Sequence, residues 1–186
     1  MNTLPMQPDR RFSCTRLRQP ALALVSFVFC AMFSSASAQI YQGSFTGNGS
    51  SQTMSIPGVT PNFVLVKNGA ANHQTIVRMT GMTTSRDLSN TGTSSTGITA
   101  LTNGFTVGAD AAVNENGGTL HWLTLSDTAG SIKTGTFTGN GTDNRTISGL
   151  GFQPDWVMVF IPGSDATVWR TSSMTGDSSV PWNAAL

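Results

Sequence analysis

The sequence predicts an all-β protein, an antiparallel, jelly-roll-like β-sandwich with one complete repeat and part of a second. Short apolar segments alternate with turn residues, and no amphipathic helix separates them. Gly, Ser, Thr and Asn are abundant, which suits pleated strands joined by tight turns. Residues 43–82 recur as residues 135–174, at a spacing of 92 or 93 positions. That spacing exceeds the roughly 20 to 50 residues of solenoid arrays, so the repeated unit is a small domain.

Residues 1–38 are expected to be a signal peptide. A basic stretch precedes the apolar run at 21–33, and Ala36-Ser37-Ala38 supplies the small residues that a signal peptidase requires, with cleavage before Gln39. The apolar run is shorter than the about 20 residues that cross a bilayer, so no membrane span is expected after cleavage. We therefore expect a protein that is secreted or at the cell surface, in the extracellular space or periplasm of a bacterium.

Charge and cysteine content narrow the class of partner. Cys14 and Cys30 both lie within the predicted signal peptide, so the remaining chain has no thiol for a disulfide. Beyond residue 38, six basic residues stand against eight acidic ones, and the basic residues are scattered singly. Nucleic-acid binding relies on clustered Lys and Arg. The sequence therefore predicts no nucleic-acid partner.

The first repeat is assigned to residues 39–131. Its predicted strands are runs of alternating or continuous apolar residues bounded by Gly, Asn or Pro, at 39–46, 63–66, 75–79, 104–108 and 119–125. Because 63–66 is apolar at every position, it is predicted to be buried on both faces of a sheet. The polar residues 83–96 are predicted to form a loop, and Pro181-Trp182 another.

The second repeat is assigned to residues 132–186, with predicted strands at 156–161 and 167–170. Nothing after Met174 corresponds to the segment 104–108 or to the strand that contains Trp122. Half a sandwich leaves apolar surface and strand edges uncovered. Two explanations stay open: a truncated gene product, which we favour, or missing strands supplied by the first repeat or by another molecule.

Several motifs follow one another along the chain: FTGNG at 45–49 and again at 137–141, GFTVG at 104–108, NENGGT at 114–119 and GFQPDWV at 151–157. In this order they resemble the β-sandwich repeats of phage tail-fibre-like proteins and of uncharacterised secreted bacterial proteins. The resemblance implies a structural or adhesive role at a surface, and it carries over no catalytic residues. The predicted signal peptide departs from phage usage and favours a secreted bacterial version.

Three tryptophans, Trp122, Trp156 and Trp169, are candidates for a sugar-stacking platform, because carbohydrate rings stack on indole faces. The competing interpretation is core packing, which we favour. Trp156 aligns with Phe63 and Trp169 with Val77, and these positions are apolar in both repeats. Trp122 and Trp169 are kept as candidate ligand-binding residues.

Arg78 and Arg170 are matched charged residues inside otherwise apolar strands. As a functional pair they would bind anions or carboxylate-bearing sugars. As structural residues they would lie on a solvent face or form an ion pair, for Arg170 with Asp155. We favour the structural interpretation and keep both arginines as candidate ligand-binding residues.

Catalytic and metal-binding signatures are weak. The turn at 139–144 is rich in oxygen donors but lacks EF-hand spacing and has one carboxylate. His73 and His121 have no cysteine to join them in a zinc site. The chain has no Gly-x-Ser-x-Gly elbow, and no carboxylate pair is matched across the repeats. The sequence therefore predicts a non-enzyme with no metal and no cofactor.

These observations predict an exported, non-enzymatic β-sandwich repeat protein with a structural or adhesive role at a surface. The alternative is a carbohydrate-binding module associated with a polysaccharide-degrading enzyme. The expected partners are glycans or a cell-surface molecule, together with self-association through uncovered strand edges.

Overall fold

A computed structural model describes residues 37–70, 72–88, 93–94, 96–160 and 167–182. Apart from its last two residues, the predicted signal peptide lies outside this part of the chain, as do residues 183–186. All pairs of neighbouring strands are antiparallel. The prediction of an all-β, antiparallel sandwich is confirmed.

In chain order the elements are β1 Gln39–Thr46, β2 Gln52–Ser55, β3 Phe63–Asn68, β4 Thr75–Met79, β5 Ser85–Asp87, β6 Thr93–Ser94, β7 Ile98–Ala100, β8 Gly104–Val107, α1 Ala111–Asn114, β9 Thr119–Ser126, β10 Trp156–Val159, β11 Val168–Thr171 and β12 Val180–Pro181. They form a six-stranded sheet in the order β1-β9-β3-β4-β5-β6 and two three-stranded sheets, β2-β8-β7 and β10-β11-β12. β1 pairs with β9 along its whole length.

The first core lies between the six-stranded sheet and the sheet β2-β8-β7. Alternate residues of each strand face this interior, so Val64 and Val66 of β3 meet Phe105 and Val107 of β8. The short helix α1 closes one end with Ala112 and Val113, and the carboxylate of Asp110 caps it by accepting from the Ala112 N–H at 3.0 Å. Complete burial of a Val or Phe side chain contributes about 1.5 to 3 kcal/mol.

A second core lies on the opposite face of the six-stranded sheet. Phe63, Val77 and Leu88 are buried there. Met158 of β10 and Phe160, which follows it, pack against this face. The strand at 63–66 is therefore apolar on both sides because each face of β3 contacts a different layer, which confirms the prediction made for it.

Two predicted loops are wrong. The polar stretch 83–96 contains β5 and β6, and β5 continues the sheet from β4. Pro181 lies in β12, and the Trp182 N–H donates to the Thr167 carbonyl at 2.8 Å. In both places the sequence contains polar residues or proline and therefore lacks the apolar alternation that predicts a strand. The segments nevertheless form strands, because the backbone of the neighbouring strand offers hydrogen-bond partners.

Candidate functional site

Arg78 joins the two sheets of the first repeat. It lies on β4 opposite Val64, on the face that looks into the first core. Its guanidinium donates to the carbonyl oxygens of Ile98 at 2.7 Å and Met82 at 3.2 Å. Ile98 begins β7 in the second sheet, and Met82 lies in the turn after β4. One side chain therefore ties together two sheets and a turn.

Arg170 repeats part of this arrangement. It lies on β11 opposite Val157, in the register in which Arg78 pairs with Val64. Its guanidinium donates to the carbonyls of Met174 at 2.8 Å and Ser178 at 2.6 Å. Met174 is the counterpart of Met82, but Ser178 belongs to the turn of the same repeat. Arg170 therefore closes its own turn, whereas Arg78 reaches a second sheet.

Asp155, which the sequence suggested as an ion-pair partner of Arg170, has a different contact. Its carboxylate accepts from the Ser172 hydroxyl at 3.1 Å, and its backbone carbonyl accepts from the Ser172 N–H at 2.9 Å. The second of these bonds has a counterpart in the first repeat, from Thr80 to Asn62 at 2.9 Å. The contact closes the end of the hairpin.

The four candidate ligand-binding residues do not converge on one surface. Trp122 packs against the first core, and its ring meets Phe105 edge-on with centroids 5.5 Å apart. Arg78 shares that inner face. Trp169 and Arg170 are consecutive on β11, so their side chains leave opposite faces of the strand. Trp169 lies opposite Met158 and is half-buried.

The two more exposed tryptophans are Trp156 and Trp182, at 42% and 39% of their surface. Trp156 occupies the position of Phe63, which is only 6% exposed in the first repeat. The Trp182 N–H donates to the Thr167 carbonyl as the Leu88 N–H donates to the Thr75 carbonyl. Trp182 is therefore the counterpart of the buried Leu88. Sequence comparison missed this equivalence because two further residues are inserted before β12.

The FTGNG turn of the first repeat, residues 45–49, docks onto the end of α1. The Asn114 side chain is buried and accepts from the Asn48 N–H at 2.9 Å. Its amide nitrogen donates to the side-chain oxygen of Asn48 at 3.2 Å and to the Gly108 carbonyl at 2.8 Å. It also donates to the carbonyl of Ser50. Asn114 thus connects the turn, the residue that follows β8 and the helix.

Gly47 must be glycine because the backbone of Glu115 lies too close to leave room for a side chain. A Cβ atom on Gly47 would lie 2.2 Å from the backbone oxygen of Glu115, which no side chain tolerates. The Gly47 N–H donates to the Gly118 carbonyl at 2.9 Å, and the Gly47 carbonyl accepts from Gly117 at 3.0 Å. The turn and the segment 114–119 are therefore in direct backbone contact.

The FTGNG turn of the second repeat, residues 137–141, has the same local form. Gly141 has φ of 70° where Gly49 has 67°. The side-chain oxygen of Asn140 accepts from the Thr142 N–H at 3.2 Å, as that of Asn48 accepts from Ser50 at 2.8 Å. Apart from Gly139 itself and its two chain neighbours, no heavy atom of the described residues lies within 4 Å of a Cβ built on Gly139, the counterpart of Gly47. The second turn is therefore formed but uncovered.

Strand content differs between the repeats in a regular way. In the first repeat β3, β4 and β5 pair with one another, whereas β1 pairs only with β9 and β2 only with β8. The second repeat retains the counterparts of β3, β4 and β5 as β10, β11 and β12. Residues 132–155, all of which the structure describes, form no strand. The part of the second repeat that forms no strand corresponds to β1 and β2, whose partners in the first repeat are β9 and β8.

Apolar side chains are exposed as a result. Val157 is 40% exposed, whereas its counterpart Val64 is completely buried. Phe137 is 51% exposed and Ile147 is 43% exposed. Arg145 lies over the Phe137 ring, 5.6 Å from its centroid, and partly screens it. We define the uncovered surface of the second repeat as Phe137, Gly139, Asn140, Ile147 and Val157.

Other features of the described residues are modest. A shallow depression of about 210 Å³ lies beside Arg78 and is lined by Thr60, Gly81 and Leu101 among others. Within the described ranges no group of three or more His, Cys, Asp or Glu side chains is placed to hold a metal ion. No helix in that part of the chain is long and apolar enough to cross a bilayer.

The chain belongs to a family described as a domain of unknown function, DUF7483, whose model matches residues 32–181. The match is continuous across both repeats. No curated protein and no solved structure matches the chain.

Proposed function

We propose that this member of the DUF7483 family is an exported, non-enzymatic β-sandwich repeat protein with a structural or adhesive role at a surface. The observation that carries the proposal is the uncovered surface of the second repeat. Val157 and Phe137 are exposed at positions whose counterparts pack against the first core. Exposed apolar side chains on a preformed sheet are typical of surfaces that bind other polypeptides.

The polar side chains described above also support a structural role. Three polar side chains donate hydrogen bonds to backbone carbonyls of the fold, namely Arg78, Arg170 and Asn114. Such hydrogen bonds hold turns and sheets in place. In the free protein these side chains are therefore already bonded to the backbone. The rigid scaffold would present its loops and its uncovered surface to a partner.

Localisation tests the proposal most simply. Cells that express the full chain are fractionated, and the chain is followed by immunoblot with a cytoplasmic and a periplasmic marker. We expect a shortened chain that begins near Gln39, in the medium, in the periplasm or accessible to protease on intact cells. An uncleaved chain confined to the cytoplasm would contradict the proposal.

The exposed indoles favour a second candidate, a carbohydrate-binding module associated with a polysaccharide-degrading enzyme. The side chains of Trp156 and Trp182 are 42% and 39% exposed, and Trp169 on β11 is half-buried. A glycan array probed with the full chain, Trp156→Ala and Trp169→Ala tests this. Binding that either variant abolishes with the fold intact supports the module, and the absence of any glycan signal removes it.

A further inference from the structure

We propose that Asn140 is a site of spontaneous covalent modification, at which the side-chain amide is lost after attack by the backbone nitrogen of Gly141. The chain contains five Asn-Gly pairs. Asn140-Gly141 is the pair whose glycine N–H has no acceptor in the part of the chain that the structure describes. The inference goes beyond the proposed function and does not depend on where the protein is located.

An Asn-Gly pair is chemically suited to this reaction. Glycine has no Cβ, so its backbone nitrogen approaches the side chain of the preceding residue more easily than that of any other residue. The five pairs begin at Asn48, Asn68, Asn103, Asn116 and Asn140. Because all five consist of the same two residues, local sequence predicts similar reactivity for them. A large difference in rate between the pairs therefore has to come from the fold.

The four pairs in the first repeat are protected by hydrogen bonds. In each of them the glycine N–H donates to a backbone carbonyl, and that bond has to open locally before the nitrogen can attack the asparagine. The glycines and their acceptors are Gly49 with Asn114 at 3.0 Å, Gly69 with Thr119 at 2.8 Å, Gly104 with Val59 at 2.7 Å and Gly117 with Gly47 at 3.0 Å. The fold therefore slows the reaction at all four pairs.

The fifth pair lies in the FTGNG turn of the second repeat, where Asn140 and Gly141 are both exposed. The side-chain oxygen of Asn140 accepts from the Thr142 N–H at 3.2 Å. When the Gly141 nitrogen attacks Cγ of Asn140, negative charge develops on that oxygen, and the Thr142 N–H stabilises it. This turn therefore supports the attack, and no backbone acceptor among the described residues holds the attacking nitrogen.

The FTGNG turn of the first repeat provides an internal control. The side-chain oxygen of Asn48 accepts from the Ser50 N–H at 2.8 Å, as that of Asn140 accepts from Thr142. It also accepts from the Asn114 side chain at 3.2 Å, and the Gly49 N–H is bonded to the Asn114 carbonyl. Asn48 should therefore persist under conditions in which Asn140 reacts.

The reaction consumes water and no oxidant or reductant. The Gly141 nitrogen loses its proton and forms a bond to Cγ of Asn140, the bond from Cγ to Nδ2 breaks, and Nδ2 leaves with that proton as ammonia. One water molecule then opens the cyclic imide at either carbonyl, which gives aspartate or isoaspartate. Each event places a carboxylate next to Asp143, so the second turn gains negative charge while the first turn stays neutral.

The experiment incubates the full chain at mildly alkaline pH in water enriched in the heavy oxygen isotope, which separates this reaction from conversion during digestion. Peptide mapping by mass spectrometry follows all five pairs. We expect Asn140 to be converted at least about tenfold faster than each of the other four, because those four must first open locally. In guanidinium chloride the five rates should converge. Electron-transfer fragmentation should detect isoaspartate at position 140.

A matched pair of variants tests whether the fold controls the rate. Gly47→Ala places a Cβ 2.2 Å from the backbone oxygen of Glu115 and forces the first turn away from α1. Conversion of Asn48 should then rise at least about tenfold, because the bond from Gly49 to Asn114 opens. Gly139→Ala brings its Cβ within 4 Å of no heavy atom of the described residues beyond its chain neighbours, so the rate at Asn140 should stay unchanged.

The unsubstituted chain is sufficient to overturn the inference. Equal rates at the five pairs in the folded chain would contradict it, and so would an Asn140 that stays intact while the unfolded chain reacts. Aspartate without isoaspartate at position 140 would exclude attack by the Gly141 nitrogen. A folded Gly47→Ala variant in which Asn48 reacts no faster would exclude protection by the bond from Gly49 to Asn114.

Discussion

The two repeats share a hairpin, an arginine that donates to backbone carbonyls and an FTGNG turn. Within the part of the chain that the structure describes, the first repeat forms a closed sandwich and the second does not. In the first, Asn114 and the backbone of Glu115 meet the turn, and Val64 is buried. In the second, the same elements face solvent at Gly139 and Val157. A β-prone sequence therefore becomes a strand where a neighbouring strand accepts and donates its backbone hydrogen bonds.

The largest expected effect is the difference in stability loss between a buried phenylalanine of the first repeat and an exposed phenylalanine of the second. Phe105→Ala removes a completely buried ring that contacts Trp122 edge-on, so we expect a loss of about 3 to 5 kcal/mol in the free energy of unfolding. Phe137→Ala, at a ring that is 51% exposed, should cost less than about 0.5 kcal/mol. Urea denaturation measures both. Equal losses would mean that the second repeat packs as tightly as the first.

Gly47 and Gly139 occupy equivalent positions in the two FTGNG turns, but their surroundings differ. Gly47→Ala places a Cβ 2.2 Å from the Glu115 carbonyl oxygen and should destabilise the protein by about 1 to 3 kcal/mol, because the turn and α1 must separate. Gly139→Ala should change stability by less than about 0.5 kcal/mol, since its Cβ meets open space. Thermal and urea denaturation of both variants check this. A destabilised Gly139→Ala would show that the second turn is covered in the free chain.

Replacing Arg78 should cost more stability than replacing its counterpart Arg170. Arg78→Met leaves the carbonyls of Ile98 and Met82 without their donor in a partly buried place, and a cost of about 1 to 3 kcal/mol follows. Arg170→Met releases only a turn of its own repeat, so its cost should be smaller. Denaturation curves measured side by side decide this. A larger loss for Arg170→Met would be inconsistent with a bridging role unique to Arg78.

The smallest expected effect concerns the link between the repeats. Desolvation alone would raise the pKa of Asp127, but N–H groups of residues 129–132 donate to its carboxylate and hold that pKa below its usual value of 3.8. A lowered folded-state pKa means that this stabilisation is complete above about pH 4 and disappears as the pH falls through the folded pKa.

The Ala129 and Ile132 amide resonances should therefore move together on acidification, with a midpoint below 3.8, and Asp127→Asn should remove that titration. An NMR pH titration measures this. Because Asp127 is exposed, we expect the global stability to change little. A midpoint above 3.8 would contradict the capping role of these N–H groups.

Much of the fold was predictable from the sequence because apolar alternation marks β3, β4, β8 and β9 directly. β5 was missed because its buried residues include Ser85 and Asp87, which are polar and therefore invisible to an apolar pattern. No strand was predicted at 132–155 and none forms there, although the sequence of that segment resembles the one that forms β1 and β2. Strand formation there depends on partners distant in sequence, which local propensity does not encode.

The site was less predictable. The repeat identified Arg78 and Arg170 as matched residues, and their carbonyl partners fit the structural interpretation favoured from the sequence. Trp122 and Trp169 were candidates because carbohydrate rings stack on indole faces, whereas the alignment of the repeats favoured core packing. Trp122 packs against the first core, and the side chains of Trp169 and Arg170 leave opposite faces of β11. Asn114, which the motif NENGGT contains, drew no attention because its role requires contact with Asn48, 66 positions away.

Hydrogen exchange at residues 39–46 and 131–138 tests most directly the claim that partner strands, and not local sequence, decide which segments become strands. The two segments occupy equivalent positions in the repeats, and β1 pairs with β9 at every residue. We predict that those β1 amides that donate to β9 exchange more than about 100-fold more slowly than amides of 131–138 in the free chain. Equal protection in the two segments would contradict the account.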